Sequence, residues 1–184
     1  MKKIPFILVG TGPFAMQRLS ILRNSKLFEP VAVVDIDVKK AKEKISNFDK
    51  SLTDFVFKDI SSATKNIKAE ACFIFAKTSA HTDLSIEALE NGLHVYCVKS
   101  VSLNSIEFKK FFKIRKKFNN LVFLQSYNNQ WNEAARMMRD IVQKSMGKIL
   151  SGSCQSWGRQ GIPTDPLQDD VLYEGMFNHT MGCH

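Results

Sequence analysis

Gly10-Thr11-Gly12-Pro13-Phe14-Ala15 follows the apolar run Ile4–Val9 and opens an amphipathic stretch, matching the pattern G-x-G-x-x-G/A. In such a turn the first glycine permits the tight bend and the second lets the backbone approach a pyrophosphate. The small third residue, here Ala15, lets helix and strand pack closely. The free N–H groups and positive dipole end of the following helix would face the phosphates. A second apolar run, "VAVVD", ends on Asp35, about twenty residues on, where a carboxylate would accept hydrogen bonds from adenosine ribose hydroxyls. Gly10, Thr11, Gly12, Pro13, Phe14, Ala15 and Asp35 are therefore candidate cofactor-binding residues. The plainer alternative is a glycine turn in some other α/β protein, with Asp35 capping the helix that starts at Val38. Asp35 would repel a 2′-phosphate and Ile36 supplies no arginine to receive one, so NAD is expected in preference to NADP. Pro13 has no N–H and contributes no donor.

A third element of possible chemistry is "GLHVYCVKS", 92–100, in which the run Val95–Val98 delivers Lys99 at its far end. A lysine there is either the point where a buried strand surfaces or, in a parallel sheet, a group at the carboxyl end where ligands bind. The cysteines, Cys72, Cys97, Cys154 and Cys183, are spread out with no C-x-x-C pair, and read as buried reduced thiols. Cys183 adjoins His184 and lies four residues after His179. Without a second ligand pair this spacing does not define a metal site, and none is expected.

The elements that must position these groups alternate between periods of strand and helix. Strands are predicted at 4–9, 31–35, 55–57, 71–75, 95–98 and 121–124, with helices at 13–23, 38–45, 82–91 and 102–118 and a short connection around 59–64. Pro13 suits a first helical turn, Asn91-Gly92 a C-terminal cap and Ser102 an N-cap. Continuous apolar strands joined through helices give a doubly wound parallel sheet. This α/β domain occupies residues 1–124. The remainder, 125–184, reads as an incomplete α+β second domain. It holds a helix at 132–145, a strand at 148–155 and then the polar loop "WGRQGIPTDPLQDD", too little to bury its own core.

A chain of 184 residues with 44% hydrophobic and 24% charged residues has an ordinary globular composition. No apolar run approaches the roughly 20 residues of a membrane span, and the apolar start runs into the glycine turn without a cleavage site. A cytoplasmic protein with no membrane partner is expected. The net charge of +8 gathers in "KKAKEK" and "KKFFKIRKK", where apolar residues interleave as on solvated helix faces. No nucleic-acid module accompanies them, so no nucleic-acid partner is expected.

With these pieces in place the chain resembles the glucose-fructose oxidoreductase/inositol dehydrogenase (Gfo/Idh/MocA) family. The resemblance runs through "LVGTGPFA", "VAVVDIDVKKA", "CFIFAKTSAH", "ALENGLHVYCVKS", "VFLQSYNNQW" and "IVQKSMGKI". It implies a Rossmann-type domain, an NAD(P)-dependent hydride transfer to or from a sugar, polyol or sugar-derivative hydroxyl, and a further open sheet that covers substrate and makes a homo-oligomer interface. By the resemblance Ala76 and His81 lie near the cofactor after the fourth strand. Lys99, in "VKS", corresponds to the lysine of the family's Glu-Lys-Pro motif and would reach the reacting hydroxyl beside the nicotinamide. "TMGCH" parallels an Asp-x-Gly-x-His signature, with Thr180 in place of the aspartate and His184 as the base; read from the residues alone, His184 is equally a frayed last residue. Val98 and Ser100 replace the glutamate and proline, Lys77 a proline and Gln130 an arginine. These departures gather at the chemistry, and they leave open a nucleotide-binding pseudoenzyme acting as a sensor or partner subunit.

Overall fold

A computed structural model of the chain describes residues 2–151. The order of elements is β1 (Ile4–Val9), α1 (Pro13–Arg23), β2 (Phe28–Val34), α2 (Val38–Phe48), β3 (Val56–Phe57), α3 (Ile60–Asn66), β4 (Ala71–Ile74), α4 (His81–Glu90), β5 (His94–Val98), α5 (Ser105–Lys117), β6 (Phe123–Ser126) and α6 (Glu133–Ser145). The strands form one parallel sheet in the order β3-β2-β1-β4-β5-β6. The order reverses between β1 and β4, and in such sheets ligands bind outside the carboxyl ends of the strands at that point.

Alternation along the strands supplies both faces of the core. Ile7, Val9, Cys72, Ile74, Val95 and Cys97 turn to one side, where they meet Ile60 and Ala63 of α3, Ile86 and Leu89 of α4, and Phe111 of α5. Phe6, Leu8, Val33 and Phe73 turn to the other, against Ala15 and Leu19 of α1 and Ala41 and Ile45 of α2. Helices on both faces explain why these strands carry no polar side. β2 bulges at Pro30, where the register with β1 shifts between Phe6 and Ile7; proline has no N–H for the ladder and is tolerated at such breaks.

Three local expectations change. The connection at 59–64 is the helix α3: Asp59 caps it, its side chain accepting from Ser62 N–H at 2.7 Å, and burial of Ile60 and Ala63 outweighs the weak helix propensity of "ISSATKN". The cap of α5 is Asn104, which accepts from the N–H groups of Ile106 and Glu107, so Ser102 lies before the helix. The segment 148–151 has no regular structure, and the rest of the expected strand lies outside the described residues.

The chain divides into two compact units, Met1–Ser126 and Tyr127–His184. In the second, the described residues form a turn at Asn128–Trp131 and the helix α6, capped by Asn132, whose side chain accepts from Ala134 N–H at 2.9 Å. No helix of the described residues is long and apolar enough to cross a membrane.

Candidate functional site: the cleft at the end of strands one and four

The register that pairs Val9 with Val34 and Val9 with Ile74 brings the residues that follow these strands together. Val9, Gly10, Thr11, Gly12, Val34, Asp35, Ile36, Lys58, Phe75, Ala76, Lys77, Ser79, Ala80 and Leu84 line one cleft of about 540 Å³, a size suited to part of a dinucleotide. A larger depression along α6, lined by Trp131, Met137 and Ile141 among others, offers no glycine turn.

Gly10 adopts φ +95°, and a Cβ there would stand against the Phe75 carbonyl oxygen, so both the turn and the close approach of β4 require glycine. Gly12 differs. It is the N-cap of α1 in extended conformation and lacks a side-chain cap, and a Cβ added to it would meet no protein atom within 4 Å. The open side of Gly12 and the uncapped first turn of α1 are the features a pyrophosphate needs. Ala15 is fully buried between α1 and the sheet, while Phe14 is 47% exposed and packs edge-on against Phe75 at 5.8 Å. Pro13, Phe14 and Ala15 shape the turn without lining the cleft.

Asp35 is held by the glycine turn itself. Its Oδ2 accepts from Thr11 N–H at 2.8 Å and from Thr11 Oγ1 at 2.6 Å, and its Oδ1 from Asp37 N–H at 3.1 Å. Thr11 is 3% exposed, and its own carbonyl accepts from Lys44 Nζ at 2.7 Å. The cap of α2 is Asp37, whose side chain accepts from Lys40 N–H; the alternative of Asp35 as a helix cap is thereby set aside.

Ala76 lines the cleft and His81 does not. His81 is 1% exposed, its Nδ1 lying 2.7 Å from Ser100 O and its Nε2 3.0 Å from Ala76 O. A neutral ring donates to only one of these carbonyls and an imidazolium to both. His81 thus lies between the segment after β4 and the segment after β5, with a carbonyl of each against its ring. Lys99 follows β5 half-buried, joined to Ser100 by a cis peptide bond, and does not line the cleft. Thr180 and His184 lie outside the described residues.

Lys58 and Lys44 carry charge to this site with no motif to announce them. Lys58 arrives only because β3 pairs with β2, and Lys44 because α2 crosses back over the turn. The only available signal was the helical spacing of Lys40 and Lys44.

Among the described residues no group of three His, Cys, Asp or Glu could hold a metal ion. Cys72 and Cys97 are free and buried. Burial pushes the Cys97 thiol up to about 12, with the Ser85 hydroxyl opposing, and raises Cys72 well above its ordinary range. Both therefore remain protonated and poor nucleophiles at neutral pH.

The architecture has known counterparts. Myo-inositol 2-dehydrogenase from Lactobacillus plantarum superposes with a TM-score of 0.68 at 23% identity over 80% of this chain and 43% of that one. Scyllo-inositol dehydrogenase from Lactobacillus casei, solved with NAD(H) and scyllo-inositol, gives 0.69 at 18% identity over 79% and 42%. An NAD-binding protein from Listeria innocua gives 0.62 at 25% identity over 80% and 42%. The chain thus spans less than half the length of these structures. No curated protein matches the sequence. Residues 4–126, the greater part of the chain, match the family described as "Oxidoreductase family, NAD-binding Rossmann fold", and the chain accordingly belongs to the Gfo/Idh/MocA oxidoreductase family.

Proposed function

We propose that this chain is the nucleotide-binding part of an NAD-dependent oxidoreductase that moves hydride between nicotinamide and a hydroxyl of a sugar, polyol or sugar derivative. The observation that carries the reading is the cleft at the sheet's reversal point, where an unencumbered Gly12, an uncapped helix start and the Asp35 carboxylate face the same space. The cofactor supplies a hydride acceptor when bound. The residues of the chain bind and orient it: the turn 10–15 takes the pyrophosphate, Asp35 the adenosine ribose, and Ala76 the wall beyond. Asp35 favours NAD over NADP through its charge. Lys99, by family resemblance, polarises the reacting oxygen, and His184 takes its proton with Thr180 on the same signature. The L. casei neighbour, with scyllo-inositol bound, supports a polyhydroxylated substrate. Self-association and a cytoplasmic setting complete the proposal.

A second reading, a nucleotide-binding sensor with little turnover, is favoured by Val98 and Ser100 flanking Lys99 and by Gln130 and Thr180. Loss of one orienting or acid–base group commonly costs about 10²–10⁴ in rate. The decisive experiment titrates the chain with NADH and NADPH by nicotinamide fluorescence, with Asp35→Ala as control. NADH binding weakened in that variant supports the nucleotide site, and binding of neither nucleotide refutes it. A polyol screen with Lys99→Ala then separates the two readings: turnover lost at unchanged NADH affinity marks the enzyme, and no wild-type turnover marks the sensor.

A further inference from the structure

The sequence pattern presents Asp35 as a carboxylate open to a ribose, but most of its acceptor capacity is already used. An ionised carboxylate offers about four acceptor sites. Oδ2 takes two donors, both from Thr11, and Oδ1 takes one from Asp37 N–H. One acceptor site remains, on Oδ1. The Thr11 hydroxyl bond is short at 2.6 Å. Thr11 in turn is held from behind, its carbonyl receiving Lys44 Nζ at 2.7 Å. The chain of contacts therefore runs from α2 through the glycine turn to the end of β2.

We propose that Thr11 and Lys44 are positioning residues that lock the Asp35 carboxylate in one orientation, and that this lock sets the preference for a dinucleotide with a free 2′-hydroxyl. The inference rests on the nucleotide-binding reading above. A freely rotating aspartate could swing aside and admit a 2′-phosphate; one pinned on both oxygens keeps its charge where that phosphate would sit. The same pinning presents the last acceptor site on Oδ1 to a single ribose hydroxyl without loss of side-chain entropy on binding. Lys44 acts through the loop: it fixes the turn whose threonine fixes the carboxylate.

The test measures dissociation constants of NADH and NADPH for wild type, Thr11→Val, Thr11→Ser and Lys44→Met, with a thermal melt of each. Valine matches the buried shape of threonine and removes only the hydroxyl donor. The expected result is an NADH-over-NADPH preference that falls about fivefold or more in Thr11→Val, through weaker NADH binding together with stronger NADPH binding. Thr11→Ser restores it, and Lys44→Met shifts it the same way by less. A change of this kind in folded variants is not what a merely structural threonine gives. If wild type binds NADH and Thr11→Val keeps the wild-type ratio, or Thr11→Ser behaves like Thr11→Val, the lock is refuted while the nucleotide site stands. If wild type binds neither nucleotide, the nucleotide reading falls and this inference with it.

Discussion

A Cβ on Gly10 would stand 2.8 Å from the carbonyl oxygen of Phe75, just past the end of the strand across the reversal point, whereas a Cβ on Gly12 would meet nothing within 4 Å. The first glycine is thus required by the protein's own packing and the second is open toward the space a ligand would fill. Gly10→Ala is expected to lose about 3 kcal/mol or more of stability, from the positive φ together with a backbone clash. Gly12→Ala keeps an extended φ of −65° open to alanine and is expected to stay within about 1 kcal/mol of wild type. NADH affinity should nevertheless fall at least tenfold in Gly12→Ala. Urea unfolding beside an NADH titration checks the pair; equal loss of stability in both would contradict the division of roles.

Lys58 and Lys77 line the same cleft as Asp35. Pro13 has no N–H to give a phosphate, and Lys77 lies three residues past the end of β4. Lys77→Ala is expected to weaken NADH binding about fivefold at low salt, roughly 1 kcal/mol. The gap should narrow as ionic strength rises toward 1 M, because screening shortens the reach of an exposed charge. A salt series of titrations reads this, and parallel salt dependences for wild type and variant would remove Lys77 from the phosphate site.

His81 lies against two backbone carbonyls, Ser100 O and Ala76 O, from within the first turn of α4. His81→Leu keeps bulk but removes the ring N–H that a carbonyl accepts, so a loss of about 2 kcal/mol is expected. His81→Gln, which retains donors, should lie between. The melts give the order, and NADH affinity should drop with it, because Ala76 lines the cleft. A His81→Leu variant as stable as wild type would show that other partners hold these carbonyls.

The buried thiol of Cys97 titrates at about 12, raised by burial from its ordinary 9.0. The folded chain keeps a proton that the unfolded chain loses above about pH 9. Its contribution is therefore fully present below that pH and is lost as pH rises toward 12, with a slope of about 1.4 kcal/mol per pH unit. Cys97→Ala should reduce this alkaline loss, to which the buried Cys72 thiol also contributes, measured as the difference in urea stability between wild type and variant from pH 8 to 11. The count of native thiols reactive toward a disulfide reagent at pH 8 should be the same in both proteins. A lower count in the variant would mean that Cys97 is accessible.

Much of this molecule is written in local patterns. Continuous apolar strands, the turn at Gly10-Thr11-Gly12 and the carboxylate at the end of "VAVVD" are enough to specify a doubly wound sheet and a nucleotide cleft, because hydrophobic period and glycine geometry act over a few residues. Pairings across the sheet are decided elsewhere. The Thr11–Asp35 bond depends on β1 and β2 lying in a register that sets Val9 beside Val34. Lys58 reaches the cleft because two residues of β3 pair with the end of β2, and α3 forms because Ile60 and Ala63 find an apolar face to bury against. His81 reads in the sequence as a residue at a cofactor edge; tertiary packing turns it inward onto two carbonyls. Such contacts join residues 5 to 33 positions apart through strand order and helix packing, and no local propensity encodes which donor will meet which acceptor across that distance.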